Sequence, residues 1–161
     1  MADTYLYVDG TLGTGDNDGG GDGAAGDSTD ADNWTDAYQG EAGMQSALDT
    51  APAGAGDTLT IFCRNTFTIT TGLDIDANAA SAWGWKKVIG CDGLNGPWTL
   101  GSYTIFDASG SGGLGNAIFD VALDNVWLEN LHATTPAGTG ETPLASEIPF
   151  HIWKPRRGCP P

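Results

Sequence analysis

Positive charge is scarce in this chain. Six Lys and Arg stand against 21 Asp and Glu in 161 residues, a formal net charge of −15. Phosphate binding needs clustered cations, so this balance argues against nucleic acid and against an anionic membrane surface. Long apolar runs are also lacking. None approaches the roughly 18 residues of a membrane span, and no membrane insertion is expected. The opening MADTYLYVDG has neither the basic nor the apolar stretch of a secretory signal. Three cysteines (Cys63, Cys91, Cys159) show no CxxC or His-bearing zinc spacing. No GxSxG elbow is present, no glycine-rich segment leads into Lys-Ser/Thr, and His132 and His151 stand alone, so both read as structural. Glutamate is rare too. The acids are mostly Asp, which favours turns and caps, and the acidity therefore reads as loop-rich structure.

What is present divides into parts. Residues 1–10 alternate as a short strand. Residues 11–32 form a Gly/Asp loop with no large apolar residue after Leu12. In 33–51, Met44 and Leu48 at i and i+4, with Ala47 and Ala51, predict one short helix near 43–50, ending before Pro52. From Asp57 to Thr135 come short β-rich runs: TLTIFC (58–63), TFTIT (66–70), LDIDA (73–77), KKVIGC (86–91), YTIFDA (103–108), AIFDVAL (117–123) and NVWLENL (125–131). Cys63 and Cys91 lie inside such runs and are expected as buried free thiols. Cys159, in the GCPP tail, is open to an intermolecular disulfide.

A sandwich would bring Asn-Gly hairpin turns and strict alternation, whereas a stack of parallel strands would bring recurring motifs. VIGCDG, TIFDASG and AIFDVAL echo one another, and the two asparagines flanking the strand in DNVWLENLH suit hydrogen bonding along stacked turns. This order of motifs, from the SALDTA run through GDTLTI, LDIDANA, KVIGCDG and YTIFDASG to DNVWLENLH, resembles the N-terminal coils of right-handed parallel β-helix proteins. That superfamily includes pectate-lyase-like enzymes and phage tailspikes. The resemblance covers roughly 33–135 and carries no catalytic motif. It implies an all-β fold: a short right-handed parallel β-helix with an N-terminal capping helix and an extended C-terminal arm. The expected organisation is an N-terminal strand and acidic loop (1–32), capping helix plus coils (33–135), and a Pro-rich arm (136–161).

Asp16, Asp18, Asp22 and Asp27 have an oxygen spacing like that of calcium loops, but position 12 is Asp27 where an EF-hand has Glu, and no helices flank the segment. Calcium is therefore a minority candidate beside a solvated or partner-facing loop. Asp107, Asp120, Asp124 and Glu129 are candidate paired carboxylates, set against ordinary turn chemistry. No Lys or Arg occurs between Val88 and Trp153, leaving His132 as the candidate base beside these carboxylates, which weighs against a polysaccharide lyase. Trp83, Trp85 and Trp98 are candidates for sugar stacking or protein interfaces. In the tail, Phe150, Ile152 and Trp153 precede Lys154, Arg156, Arg157 and Cys159, and half of the six basic residues fall in the last eight positions. Prolines there forbid regular structure. An extended arm with apolar anchors and a positive end complements the acidic loop.

The expectation is a non-enzymatic structural subunit, a homo-oligomer or a partner of other particle proteins, in a phage virion or an extracellular filament. The virion is preferred because the chain lacks a visible signal peptide. The alternatives are a carbohydrate-active β-helix enzyme or a fragment of one, and a calcium-dependent carbohydrate-binding module.

Overall fold

The computed structural model describes residues 3–11, 20–21, 23–52, 54, 56–75, 84–91, 104–110, 118–121 and 125–134. The strands are β1 (Asp3–Asp9), β2 (Tyr38–Gln39), β3 (Thr58–Arg64), β4 (Thr66–Thr68), β5 (Leu73–Ile75), β6 (Trp85–Cys91), β7 (Thr104–Asp107), β8 (Phe119–Val121), β9 (Val126–Glu129) and β10 (Leu131–Thr134). One α-helix, α1 (Gly40–Asp49), follows β2. The strands form three sheets, with orders β2-β1-β3-β6-β9, β10-β7-β4 and β5-β8. Every described strand pair is parallel.

Alternation decides which side chains enter the core. In β3, Leu59, Ile61 and Cys63 turn inward and pair in register with Thr4, Leu6 and Val8 of β1, while Ile61 pairs with Val88 of β6. These residues join Phe67, Ile69, Leu73, Ile75, Phe106, Ile118 and Leu128 in the main core. The corners between strands need φ > 0, and asparagine, which tolerates that region better than other non-glycine residues, supplies it at Asn65 (66°), Asn125 (62°) and Asn130 (56°). Asn130 Nδ2 also donates to the carbonyl of Gly90 at 2.8 Å, tying one corner to the strand beside it.

Helix α1 buries Met44, Ala47 and Leu48, at i, i+3 and i+4, in this same core. Its polar face closes one side of the sheets. Gln45 donates Nε2 to the Asp74 carbonyl (2.9 Å) and accepts the Asp74 N–H at Oε1 (2.9 Å), so its amide substitutes for a neighbouring strand at β5. Glu41 Oε1 accepts the N–H groups of Thr70 (2.9 Å) and Thr71 (2.8 Å), and Oε2 accepts the Thr70 hydroxyl (2.6 Å). Partial burial pushes the Glu41 carboxyl up, but these hydrogen bonds outweigh it and hold the group below its usual range. Lys86, itself buried, donates Nζ to the Leu48 carbonyl near the end of the helix.

The expectation of an all-β protein, a short right-handed parallel β-helix with its helix as a mere cap, is corrected here. Five-, three- and two-stranded parallel sheets share one core with α1, an arrangement of α/β type, and no β-helix solenoid is seen among the described residues. The physical reason is that period-2 alternation specifies a strand with one buried face. It does not specify whether a neighbouring strand or a helix covers that face. The extended C-terminal arm lies outside the described residues.

Gly43 shows why propensity undervalues the first half of α1. A Cβ there would meet the carbonyl carbon of Tyr38 at 2.9 Å, closer than real Cβ contacts come. Gly→Ala inside a helix normally stabilises by roughly 1 kcal/mol. Gly43→Ala is expected to do the reverse and lower the melting temperature. A raised melting temperature would disprove the close approach.

Candidate functional site

The outward face of the five-stranded sheet carries Tyr5 and Tyr7 from β1, Thr60, Phe62 and Arg64 from β3, Lys87, Ile89 and Cys91 from β6, and Trp127 and Glu129 from β9. Its two halves are treated differently. Over β1 and β3 lies the segment 23–37, with a short 3-10 turn at Ala31–Trp34. Trp34 meets Tyr7 edge-on at 5.4 Å between ring centroids, and Tyr7 stacks on Phe62 at 5.7 Å. Asn33 fastens the segment, accepting the Gly23 N–H and donating Nδ2 to the carbonyls of Ala24 and Asp27. The Gly26 N–H donates to the Tyr7 hydroxyl oxygen at 3.1 Å. Gly26 has φ +80°, and a Cβ there would strike the Tyr5 ring. Burial raises the Tyr7 phenol above its ordinary value.

At the end of these strands Asp9 is wholly buried. Its Oδ2 receives Arg64 Nε at 2.5 Å, and its Oδ1 receives Asn65 Nδ2 at 2.8 Å and the Thr11 N–H at 2.9 Å. The Arg64 guanidinium lies 4.2 Å from the centre of the Trp34 ring, so one cation holds both the buried carboxylate and the covering segment.

Over β6 and β9 the face forms an open groove of about 550 Å³ lined by Thr58, Trp85, Lys87, Ile89, Trp127 and Glu129. Register puts Trp127 opposite Lys87, so Trp85 is its diagonal neighbour, a separation of roughly 7–8 Å on a pleated sheet. Glu129 is only 6% exposed. Its Oε2 accepts the Trp127 indole N–H at 2.8 Å, which fixes that ring, while Oε1 is buried without a hydrogen-bond partner among the described residues. A partnerless buried carboxylate oxygen is costly and calls for a donor.

Of the residues singled out from sequence, Trp85 and Glu129 line this groove. Asp27 lies in the covering segment, where Oδ1 accepts the Thr29 N–H (2.9 Å) and hydroxyl (2.6 Å), and these bonds lower its pKa. Asp16, Asp18, Asp22, Trp83, Trp98, Asp124 and the tail residues Phe150, Trp153, Lys154, Arg156, Arg157 and Cys159 lie outside the described residues. Among the described residues no three His, Cys, Asp or Glu side chains gather as a metal site. Asp107 and Glu129 belong to different sheets. Asp107 Oδ1 accepts the Ser109 N–H and the Thr134 hydroxyl, which is turn chemistry, and Asp120 sits in register with Asp74. Cys63 and Cys91 are free and buried, and burial pushes the Cys91 thiol up to about 12, far from a reactive thiolate.

Trp127, Lys87 and the special position of Glu129 were not singled out. The alternation of VWLE was visible, but which half of the pattern faced outward was not. No protein-family model, curated protein or solved structure matches this chain.

Proposed function

We propose that this chain is a non-enzymatic structural subunit that assembles with copies of itself or with other proteins of a larger particle, as part of a virion or an extracellular filament. The observation that carries this reading is the shared end of the three sheets. Sheet by sheet, the last strand among the described residues is β8, β9 or β10, all drawn from residues 119–134, whereas α1 engages the chain beside β4 and β5 on the other side. Sheet-edge strands of this kind are templates for a further strand. In sequence, the stretch that supplies them is followed 20 residues on by Lys154, Arg156 and Arg157, half of the cations in a chain of net charge −15. A basic arm reaching the acidic N-terminal part of the next copy makes a head-to-tail contact, which closes into rings or runs on as filaments.

Light scattering of the full chain should therefore report particles well above one subunit, with size falling as salt screens the arm. Truncation after Pro149 should leave monomers that keep their circular dichroism. A full-length monomer at every salt concentration, or a truncated chain of unchanged particle size, would remove this function.

A further inference from the structure

We infer that residues 150–153 of this chain, Phe-His-Ile-Trp, form a further parallel strand along the outer edge of β9. This segment belongs to the same arm as the proposed assembly, yet its pairing with β9 requires no second copy. Two features carry the inference: the hydrogen-bonding groups that β9 turns outward, and a repeat in how the chain leaves the five-stranded sheet.

The Lys86 N–H donates to the Asn125 carbonyl at 3.0 Å, and Lys86 is level with Val126. In a parallel ladder this fixes the parity. Asn125, Trp127 and Glu129 turn their backbone groups to β6, and Val126 and Leu128 turn theirs away. β9 is the last described strand of its sheet, so the N–H and C=O of Val126 and Leu128 face no described strand. Their side chains lie in the core, whereas Trp127 lies on the outer face. After β3 the chain turns at Asn65 (φ 66°), forms β4 at once, and returns to the five-stranded sheet at Trp85, with residues 65–84 making the crossing. After β9 it turns at Asn130 (φ 56°) and at once forms β10, in the same sheet as β4. A crossing of equal length, residues 130–149, ends at Phe150. It exceeds the dozen or so residues that a parallel crossover needs. With Phe150 level with Val126 and Ile152 with Leu128, both apolar side chains extend the core rows, while His151 and Trp153 extend the outer rows of Trp127 and Glu129. The Val126 N–H then donates to the Pro149 carbonyl and the Leu128 N–H to the His151 carbonyl. In return, the His151 N–H donates to the Val126 carbonyl and the Trp153 N–H to the Leu128 carbonyl. Pro149 is asked only for its carbonyl, the group that proline retains, and Pro155 ends the strand. Lys154, Arg156 and Arg157 follow it and stay available to a neighbouring copy.

Hydrogen–deuterium exchange of the full chain, followed amide by amide in NMR at high salt and several protein concentrations, tests the pairing. The Val126 and Leu128 amides should exchange at least roughly a hundredfold more slowly than those of an unpaired edge, because exchange must wait for the pairing to open. His151→Pro deletes an N–H aimed at β9 and should release both amides. Ile152→Pro deletes one aimed away from β9 and should release them far less. The Val88 amide, which faces β9 from β6, reports that the fold persists. Should His151→Pro release Val88 as well, Phe150→Ser, which empties a core row and leaves the ladder groups in place, should free Val126 and Leu128 while Val88 stays protected. Replacing Arg156 and Arg157 together by Ala should shrink the particles at low salt without changing these amides, which separates failure of the assembly from failure of the strand. Free exchange at Val126 and Leu128 in the folded protein overturns the inference, as does protection that survives both His151→Pro and Phe150→Ser. Protection that grows with protein concentration also overturns it, since a neighbouring copy would then supply the strand.

Discussion

Asp9→Ala is expected to destabilise the protein by about 3–5 kcal/mol, the usual cost of removing one partner from a buried ion pair. The geometry explains why this site belongs at the high end. Asp9 has no exposed surface, and the Arg64 side chain is only 14% exposed. Removing the carboxylate strands that guanidinium and leaves the donors of Asn65 and Thr11 without their acceptor. Native domains are stable by only about 5–15 kcal/mol, so the variant should populate its unfolded state near physiological temperature. Asp9→Asn separates charge from shape. It retains an acceptor for some of the donors but removes the charge, and should lie between wild type and alanine in urea denaturation. Equal losses for Asn and Ala would mean that charge, not hydrogen-bond geometry, carries the site.

The same residue predicts an acid limb. Burial alone would raise the Asp9 carboxyl, but hydrogen bonds from Asn65, Thr11 and Arg64, with the charge of Arg64, hold it below its ordinary value. A carboxyl whose folded pKa lies below its unfolded value, about 3.9, stabilises fully above the unfolded pKa. That contribution is lost as pH falls through the folded pKa. Glu41 and Asp107 shift in the same direction, so they add to the same limb. Stability should be flat near neutrality and fall below about pH 4, with a smaller fall in Asp9→Asn than in wild type.

How much of this could be read from residues varies by element. Each apolar run from TLTIFC to NVWLENL contains a strand, because alternation is a local property of the chain. The run at 125–131 holds β9 and reaches only the first residue of β10, since Asn130 takes a left-handed conformation between the two strands. Sequence marks asparagine as a turn residue but does not say which of two asparagines breaks the run. Helix α1 was expected at 43–50 and occupies 40–49, because Gly40 and Gly43 argue against helix only until the Tyr38 backbone is placed against Gly43. The part the helix plays in a core shared with parallel sheets is a long-range fact with no local signature. The same holds for 23–37. Nothing in GAAGDSTDADNWTDA is periodic, and its order comes from Trp34 and Asn33 finding β1 and β3. For the groove, a tryptophan count pointed to Trp85, while Glu129 read as one carboxylate among several until its burial distinguished it.

Phe106→Ala is the second large effect. Phe106 is fully buried, pairs in register with Phe67 at 4.9 Å between nearly parallel rings, and meets Phe119 edge-on at 4.8 Å. It thus links the three-stranded sheet to the two-stranded one within the shared core. Deleting a buried phenyl group costs roughly 3–5 kcal/mol, lost transfer energy plus the cavity left behind, while aromatic pairing contributes about 0.5–1.5 kcal/mol beyond area. Volume should therefore dominate over ring geometry. Phe106→Leu, which refills most of the space, should cost under about 1.5 kcal/mol plus the lost pairing term, and Phe119→Ala, from a half-buried site, should cost less than Phe106→Ala. Chemical denaturation of the three variants at one pH checks the order. If Leu were as damaging as Ala, the aromatic stack itself, not the filling of space, would hold the two sheets together.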